Sequence, residues 1–389
     1  MTNPFQKTLR IATFCGSLFA SAAFVGSAQA QGAAGSPTAS ATVASAITYQ
    51  ETERPEGLDG SFGEGTSATP TFLELTTLDG NKVDAVLWEP PGGADPDATL
   101  VISVHGSGSS YAGNPIVFLA PGRAEEGRPV LAINTRQSGE RVNTDNFFDI
   151  ANDIEAAFYT ARDMGYDTIV LHGQSLGNIQ VQYFAATHWD DAIKGVFLTG
   201  PFADLPWKSR HILVQDEENF TALIDTAVEA LRAGEKDAIM DVEMGWITGQ
   251  QVPLTAQHFL TYRLTDTSSA VGTYWIKRVP VPMLLVRDEG DAIVRDFEPY
   301  MLLSAARSEN SLVPDIEYVM IGNDGGLSPA AHDFGTNRRL ARQPRSLTNS
   351  ERRYLPVRNK ALSPAFRWQG LFYPASTQSS RAASRSRAV

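Results

Sequence analysis

Two segments near the start of the folded region alternate between apolar and polar residues. They are residues 72–76 and 83–88, and the sequence between them contains Asp79-Gly80. An Asp-Gly pair between alternating segments favours a tight turn, because glycine accepts the positive φ that such turns require. The pattern therefore predicts a β-hairpin.

Beyond the hairpin, the apolar runs are short and do not alternate. They occupy residues 100–104, 129–134, 168–171, 195–199, 281–286 and 316–321. Helical spacing separates several of them, as in the pattern from Phe147 to Ala161 that ends at Gly165. Strands that are apolar on both faces are typical of a mostly parallel sheet with helices on each side. The sequence predicts this α/β core over residues 71–200 and 279–336.

The strand–helix rhythm stops between residues 201 and 278. An amphipathic helical pattern covers residues 220–231, Gly234 closes it, and only shorter helical pieces follow. We interpret this stretch as a helical cap inserted into the core. Six of its residues are large aromatics, which either line an apolar acyl or alcohol site or pack the core of the cap. They are Trp207, Trp246, Phe259, Tyr262, Tyr274 and Trp275.

The first thirty residues have the pattern of a secretory signal peptide. Lys7 and Arg10 precede an apolar stretch over residues 11–25, and Ala28-Gln29-Ala30 is a small-residue cleavage site. The apolar stretch is too short and too rich in glycine and serine for a stable membrane anchor. We expect cleavage after Ala30 and a secreted or periplasmic protein.

The cysteine content and the net charge of the chain exclude several classes of site and partner. Cys15 is the only cysteine and lies in the signal peptide, so the mature chain has no cysteine nucleophile, disulfide or thiolate metal site. The net charge of −12 argues against a nucleic-acid partner.

Residues 31–70 are rich in small residues and predict a flexible lead-in. Residues 337–389 are basic, contain helix-breaking prolines and predict a disordered tail.

The sequence Gly173-Gln174-Ser175-Leu176-Gly177 follows an apolar run and precedes a helical pattern. A nucleophilic serine on a sharp strand-to-helix turn requires this context. The flanking positions favour glycine, because strand and helix approach too closely for a Cβ. Ser175 is therefore the predicted nucleophile.

A serine hydroxyl needs a base within hydrogen-bonding reach and a group that orients the base. His332 is the predicted base, because it lies in a loop of small residues after the last predicted strand. His172 lies within the elbow and is too close to the serine to turn back on it. The remaining histidines end a strand or lie in or beside helices, where surface or core roles are expected: His105, His188, His211 and His258.

The predicted triad acid is Asp291, five residues beyond the apolar run 281–286. Asp288 and Glu289 are nearby alternatives. Asp204, which follows the preceding strand, is a further alternative. An aspartate at such a position also caps helices without any catalytic role.

An acyl-transfer transition state carries an oxyanion that needs two preorganised N–H donors. The backbone amide of Leu176, directly after the nucleophile, is the first predicted donor. The second should come from the glycine-rich loop that follows the strand at residues 100–104. Within this loop, Ser107 and Gly108 are equally good candidates.

On these motifs the chain resembles the α/β-hydrolase superfamily of serine esterases and lipases. The resemblance spans about residues 71–335 and rests on His-Gly-Ser-Gly at 105–108, on Gly-Gln-Ser-Leu-Gly at 173–177, on Asp291 and on His332. It implies the α/β-hydrolase fold and a Ser-Asp-His hydrolase that uses no metal or cofactor. Its specificity would be set by the cap.

The expected activity is cleavage of a small-molecule carboxylic ester through an acyl-enzyme. A peptidase, amidase or lactonase with the same triad remains an alternative. A secreted binding protein on the same scaffold, without catalysis, is the alternative from another class. The loop at 105–108 lacks the Gly-Gly-Gly form of many lipases, so triglyceride lipolysis is not favoured.

The signal-peptide interpretation predicts the mature N-terminus. When the full chain is expressed in a bacterium with a functioning export pathway, the exported protein should begin at Gln31. Intact-mass and N-terminal peptide measurements on the periplasmic fraction and the medium check this. An uncleaved chain in the membrane fraction would contradict it.

Overall fold

The computed structural model describes residues 47–93, 95–214, 216–240, 244–245, 251–265, 269–291 and 293–322. The predicted signal peptide 1–30, most of the lead-in's first half, His332 and the tail 337–389 lie outside the described residues.

Nine of the described strands form one sheet, in the spatial order β1-β2-β3-β5-β4-β6-β7-β10-β11, and β8 pairs separately with β9. Their bounds are β1 Thr48–Thr52, β2 Thr69–Thr76, β3 Lys82–Glu89, β4 Leu100–Val104, β5 Val130–Ile133, β6 Ile169–Gln174, β7 Ile193–Thr199, β8 Met244–Gly245, β9 Gln251–Val252, β10 Met283–Asp288 and β11 Ile316–Ile321.

The sheet is mostly parallel. From β5 to β11 every neighbouring pair runs parallel, whereas β1, β2 and β3 join their neighbours antiparallel. The predicted hairpin is confirmed as β2 and β3, and Gly80 in its turn has φ of 80°. Parallel strands end at the same edge, so residues just beyond β4, β6, β7, β10 and β11 share one rim of the sheet.

Helices cover the two faces of this sheet. The bounds of the described helices, including those between β7 and β10, are α1 Ile116–Glu125, α2 Ile150–Asp163, α3 Leu176–Thr187, α4 Leu205–Lys208, α5 Glu217–Ala233, α6 Ala256–His258, α7 Gly272–Trp275 and α8 Glu298–Ala306. The predicted helix after Phe147 is confirmed as α2, which a short 3₁₀ turn, Phe147–Asp149, precedes. The α/β-hydrolase fold expected from the sequence is the observed fold.

Residue alternation along β4 explains how both faces are filled. Leu100, Ile102 and Val104 belong to one apolar cluster with α2 and α3, while Val101 belongs to a second cluster with α1. Both sets are at most 5 % exposed. Successive side chains of a strand point to opposite faces, so an all-apolar run is buried only between two layers.

Between β7 and β10 the chain forms α4 to α7 and the small β8–β9 pair. The predicted amphipathic helix is confirmed as α5. Asp216 caps its first turn by accepting the amides of Glu218 and Asn219, and Gly234 ends it with φ of 81°. The buried face of α5 packs on α6 and the π-helical stretch Phe259–Arg263 that continues it, in an apolar cluster separate from those of the sheet.

The prediction of a flexible lead-in over residues 31–70 is wrong for its second half. β1 pairs with β2 along its whole length, and Phe62 is buried against Trp88, with ring centroids 5.2 Å apart. All five residues of β1 are exposed, so main-chain hydrogen bonds rather than an apolar face hold it in place. A strand held in this way leaves no alternation in the sequence.

Within the described part of the chain, the helices fall short of the length and apolar character needed to cross a bilayer.

Candidate active site

Ser175 stands at the junction between β6 and α3 in a strained backbone conformation. Its φ is 51° and its ψ is −117°. A non-glycine residue held at positive φ costs about 1–3 kcal/mol and persists only where its surroundings enforce it. The serine side chain is thereby presented on a sharp turn at the rim of the sheet, as the motif predicted.

The two flanking glycines are required by close backbone contacts. A Cβ on Gly173 would lie 2.4 Å from the carbonyl oxygen of Gly177, and a Cβ on Gly177 would lie 2.4 Å from the carbonyl oxygen of Val104. Both contacts are with backbone atoms, which cannot turn aside. The tight approach of α3 to the ends of β6 and β4 therefore forces Ser175 into its conformation.

The loop after β4 lies directly against Ser175. A Cβ on Gly106 would come 2.9 Å from the Cβ of Ser175 and 2.5 Å from Oε1 of Gln174. The Gly106 amide donates to that same Oε1 at 2.8 Å. This places the predicted oxyanion loop beside the serine.

Three consecutive amides of this loop have different partners. The Gly106 amide is held by Gln174, and the Gly108 amide donates to the carbonyl of Gln137 at 3.1 Å. Within the described residues, the Ser107 amide between them has no acceptor. Because the Gly108 N–H already has an acceptor, the structure favours Ser107 over Gly108 as the predicted oxyanion donor.

Leu176 begins α3, and the first amides of a helix have no acceptor within the helix. The Leu176 amide meets none elsewhere among the described residues. Asn178, two residues further, donates from Nδ2 to the carbonyls of Thr199 and Gly200 at 3.0 and 2.7 Å. The start of α3 is thus tied to the end of β7, and the N–H groups of Leu176 and Ser107 have no acceptor among the described residues.

Asp291 lies in the loop after β10, next to the end of β7. Its Oδ1 accepts the amides of Ile293 and Val294 at 2.9 and 3.0 Å. Its Oδ2 is 3.6 Å from where a Cβ on Gly200 would be. No described residue donates a hydrogen bond to Oδ2.

Main-chain hydrogen bonds between neighbouring strands place Asp291 near Ser175. The Ser175 amide donates to the carbonyl of Thr199 at 3.0 Å, and Gly200, the next residue, donates to the carbonyl of Val286 in β10 at 3.0 Å. The serine and the carboxylate therefore stand at adjacent ends of β6, β7 and β10. β11, after which His332 follows in the chain, is the next strand along the same rim.

Two buried cations brace the loop that carries Asp291. Arg287 donates to the carbonyls of Asp291 and Val294, each at 3.0 Å. Lys208 of α4 donates to the carbonyl of Ile293 and to Oε1 of Glu298, each at 2.8 Å. The side chains of Lys208 and Glu298 are 4 % and 1 % exposed, so neither charge is left without a counterpart in the interior.

The alternative acids have other roles in the structure. Asp204 caps α4 by accepting the amide of Trp207 at 2.9 Å, and burial raises the pKa of its carboxyl. Asp288 ends β10, is 1 % exposed and accepts the amide of Gly290 at 2.6 Å. Glu289 is exposed.

Three described histidines have both ring nitrogens engaged. His105 meets the carbonyl of Gly106 at 2.6 Å and accepts the amide of Thr135 at 3.0 Å, and burial lowers its pKa to about 4. His172 lies between the hydroxyls of Ser103 and Thr199, at 2.7 and 3.0 Å. These two histidines are therefore structural.

The third, His258, belongs to a buried cluster that joins the cap to the loop after β5. Asp145 accepts hydrogen bonds from Gln137 and from the Tyr262 hydroxyl, and faces Nδ1 of His258 at 3.3 Å. Arg263 approaches Nε2 of His258 at 3.3 Å. Burial raises the pKa of Asp145 to about 7, lowers that of Arg263 to about 9 and lowers that of His258 well below its usual value.

The two remaining described histidines are also remote from a base role. His188 follows the last turn of α3, at the opposite end from Ser175, and stacks on Phe184. His211 is exposed on the cap beside Trp207. His332 lies outside the described residues, so its position relative to Ser175 stays a prediction.

The family model for the alpha/beta hydrolase fold matches residues 99–309, which is more than half of the chain. The chain belongs to the alpha/beta hydrolase family. The matched region of this alpha/beta hydrolase runs from β4 to the turn after α8, and so includes the elbow, the oxyanion loop and Asp291. No curated protein sequence matches the chain.

Solved structures resemble this alpha/beta hydrolase at low sequence identity. A hypothetical protein from Pseudomonas aeruginosa has a TM-score of 0.54 at 15 % identity, and the match covers 75 % of this chain and 96 % of that one. The alpha/beta hydrolase GrgF from Penicillium sp. sh18 has a TM-score of 0.52 at 16 % identity, with 70 % and 97 % covered. At these identities the likeness concerns the fold.

A third similar structure is Est1E from Butyrivibrio proteoclasticus with ferulic acid bound. Its TM-score is 0.49 at 20 % identity, and the match covers 65 % of this chain and 91 % of that one.

Several residues around the site escaped the sequence interpretation. Gln174 occupies a variable position of the elbow motif, and Lys208, Arg287 and Glu298 stand in segments without any chemical motif. Their roles depend on contacts between segments far apart in the chain, for which no local pattern exists.

Among the described residues, no group of three or more His, Cys, Asp or Glu side chains is arranged to hold a metal ion.

The contact between Gly177 and Val104 leads to a prediction. Gly177→Ala should lower the free energy of unfolding by about 1–3 kcal/mol and reduce turnover, because its methyl group would meet the carbonyl of Val104. Thermal unfolding and initial rates on p-nitrophenyl acetate measure both effects.

Gly122→Ala is the matched control. Gly122 lies in α1 with nothing within 4 Å of its missing Cβ, so the variant should gain about 0.5–1 kcal/mol from helix propensity and keep its turnover. If Gly177→Ala behaved like Gly122→Ala, the close approach of α3 to β4 would be refuted.

Proposed function

We propose that this protein is an exported serine hydrolase that cleaves small carboxylic esters. The observation that carries the proposal is the backbone of Ser175, held at φ 51° between β6 and α3 with Gly106 against its Cβ. Strain of this kind is maintained where a side chain must be presented to a reacting group. The membership of the alpha/beta hydrolase family supports the same reaction class.

In the proposed reaction, Oγ of Ser175 attacks the ester carbonyl carbon while the imidazole of His332 takes the hydroxyl proton. The carbonyl oxygen becomes an oxyanion, which accepts hydrogen bonds from the amides of Leu176 and Ser107. Both N–H groups lack other described acceptors, which supports this role. Collapse of the intermediate breaks the bond to the alcohol, which leaves with the proton from His332.

Water then completes the cycle. His332 takes a proton from the water molecule that attacks the acyl-enzyme, and returns it to Oγ of Ser175 as the carboxylic acid departs. Asp291 orients the imidazole and stabilises its charged form. The open Oδ2 of Asp291, next to the end of β7, supports this assignment, since Oδ1 is already held by two amides.

The nucleophile assignment predicts the effect of removing the hydroxyl. Ser175→Ala should lose at least about 10³-fold in kcat on p-nitrophenyl acetate, because no covalent intermediate can form. Its melting temperature should remain near that of the wild type, since alanine has the same backbone preference as serine at this φ. A fluorophosphonate probe should label the wild type and not the variant.

Turnover that persists in Ser175→Ala, or labelling of that variant at the wild-type rate, would contradict the proposal. A panel of ester, lactone and anilide substrates with the same acyl group tests the substrate class. The proposal expects the ester to be cleaved fastest, and preferential cleavage of the anilide would indicate an amidase.

The base assignment predicts a pH dependence. An imidazole accepts the serine proton only when it is neutral, so kcat/KM should show an acid limb, in which it falls as the histidine becomes protonated. His332→Gln should abolish this limb together with most of the activity. His211→Gln, a change at the exposed histidine of the cap, should leave both the rate and the profile unchanged.

His105 offers no replacement, because burial lowers its pKa to about 4 and both of its ring nitrogens are bonded. A rate profile of His332→Gln that matches the wild type would exclude His332 as the base.

A further inference from the structure

Gln174 stands directly before the nucleophile and turns its side chain toward the oxyanion loop. It ends β6 and is 7 % exposed. Its Oε1 accepts the Gly106 amide at 2.8 Å. The motif requires glycine at positions 173 and 177 and serine at 175, but places no demand on position 174, so the contact is a feature of this chain's own packing.

Gly106 lies close to both Gln174 and Ser175. A Cβ on Gly106 would lie 2.5 Å from Oε1 of Gln174 and 2.9 Å from the Cβ of Ser175. The loop, the glutamine and the nucleophile are thus in mutual contact. A shift of Gly106 toward Ser175 is blocked by atoms, and a shift away from it breaks the hydrogen bond with Gln174.

A second hydrogen bond holds the loop on its other side. Gly108 has φ of 66° and donates to the carbonyl of Gln137 at 3.1 Å. The side chain of Gln137 in turn donates to the buried carboxylate of Asp145. The Gly108 N–H thus holds the 107–108 peptide.

The 106–107 peptide, which carries the Ser107 N–H, is held through the Gly106 carbonyl, which accepts the Ser109 amide at 3.1 Å and meets Nδ1 of His105 at 2.6 Å. Gln174 holds the preceding peptide, at the point where the loop leaves β4.

We infer that Gln174 is a positioning residue for acyl transfer, whose carboxamide oxygen holds the Gly106 amide and thereby keeps the Ser107 N–H aimed at the oxyanion. The inference rests on the proposed function. Donors that are preorganised need no reorganisation when the charge forms, and a small displacement of one of them is costly. Gln174 itself does not touch the reacting atoms.

Gln174→Met tests this role, because methionine has nearly the same length and apolar body but offers no comparable acceptor. The Gly106 amide then loses its partner, and the loop can relax away from the serine. Since the oxyanion exists only in the transition state, kcat on p-nitrophenyl acetate should fall about 10- to 100-fold while KM changes less than about twofold.

Two further measurements separate positioning from a structural role. The inhibition constant of an alkylboronic acid, whose tetrahedral adduct places an oxygen in the oxyanion site, should rise by about the same factor as kcat falls. Rates should be normalised to active sites titrated to completion with a fluorophosphonate. Loss of folded protein would lower the titre but not the rate per site.

Gln182→Met is the matched control. Gln182 lies two turns along α3, is fully buried, and its amide atoms have no partner among the described residues. The same chemical change there removes no tether of the loop, so kcat, KM and boronate inhibition should equal those of the wild type. If Gln174→Met does not fold, Gln174→Asn withdraws the acceptor by one methylene and should show the same kcat loss.

The outcomes are distinguishable from failure of the proposed function. A wild-type protein that neither labels with fluorophosphonate nor turns over the ester panel overturns the serine-hydrolase proposal. An active wild type together with a Gln174→Met or Gln174→Asn variant of unchanged kcat and boronate affinity overturns the positioning role, whatever happens to the melting temperature.

Discussion

The crowding of three backbone segments at the start of α3 is the constraint on which the site depends. Gly177 packs against the carbonyl of Val104, Gly173 packs against Gly177, and Gly106 packs against Ser175. Side chains are absent from all three glycine positions, so the helix, the elbow and the oxyanion loop approach within main-chain contact. The strained φ of Ser175 follows from this geometry, and the cost of about 1–3 kcal/mol is met by the packing of α3 in the apolar layer over the sheet.

A second level of organisation comes from the strand order. β6, β7, β10 and β11 are neighbours and parallel, so the turns after them open on one rim although they are separated by long stretches of chain. Arg287 and the Lys208–Glu298 pair hold the Asp291 loop on this rim. Breaking one partner of a buried ion pair costs about 3–5 kcal/mol, so the loop is tied to the stability of the whole domain.

The cap is joined to the same region through polar contacts in the interior. Asp145 and Gln137 come from the loop after β5, whereas His258 and Arg263 come from the cap. Desolvation dominates this cluster, which is why the pKa of the acid is raised and the pKa values of the bases are lowered. The carbonyl of Gln137 also accepts the Gly108 amide. Gln137 therefore contacts both the oxyanion loop and the buried cluster that joins the cap to the core.

The sequence by itself determined the α/β sheet, the hairpin at Gly80 and the elbow at Ser175, because each leaves a local signal in periodicity, turn residues or glycine spacing. The sequence did not distinguish Ser107 from Gly108 as the oxyanion donor. It also gave no signal for the contacts of Gln174 and Lys208 or for strand β1. Tertiary structure decided these points through contacts between distant segments: which amide already has an acceptor, which charge is buried beside which loop, and which exposed strand finds a main-chain partner. Such contacts depend on the distance between atoms in the folded state, for which the order of residues along the chain carries no local pattern.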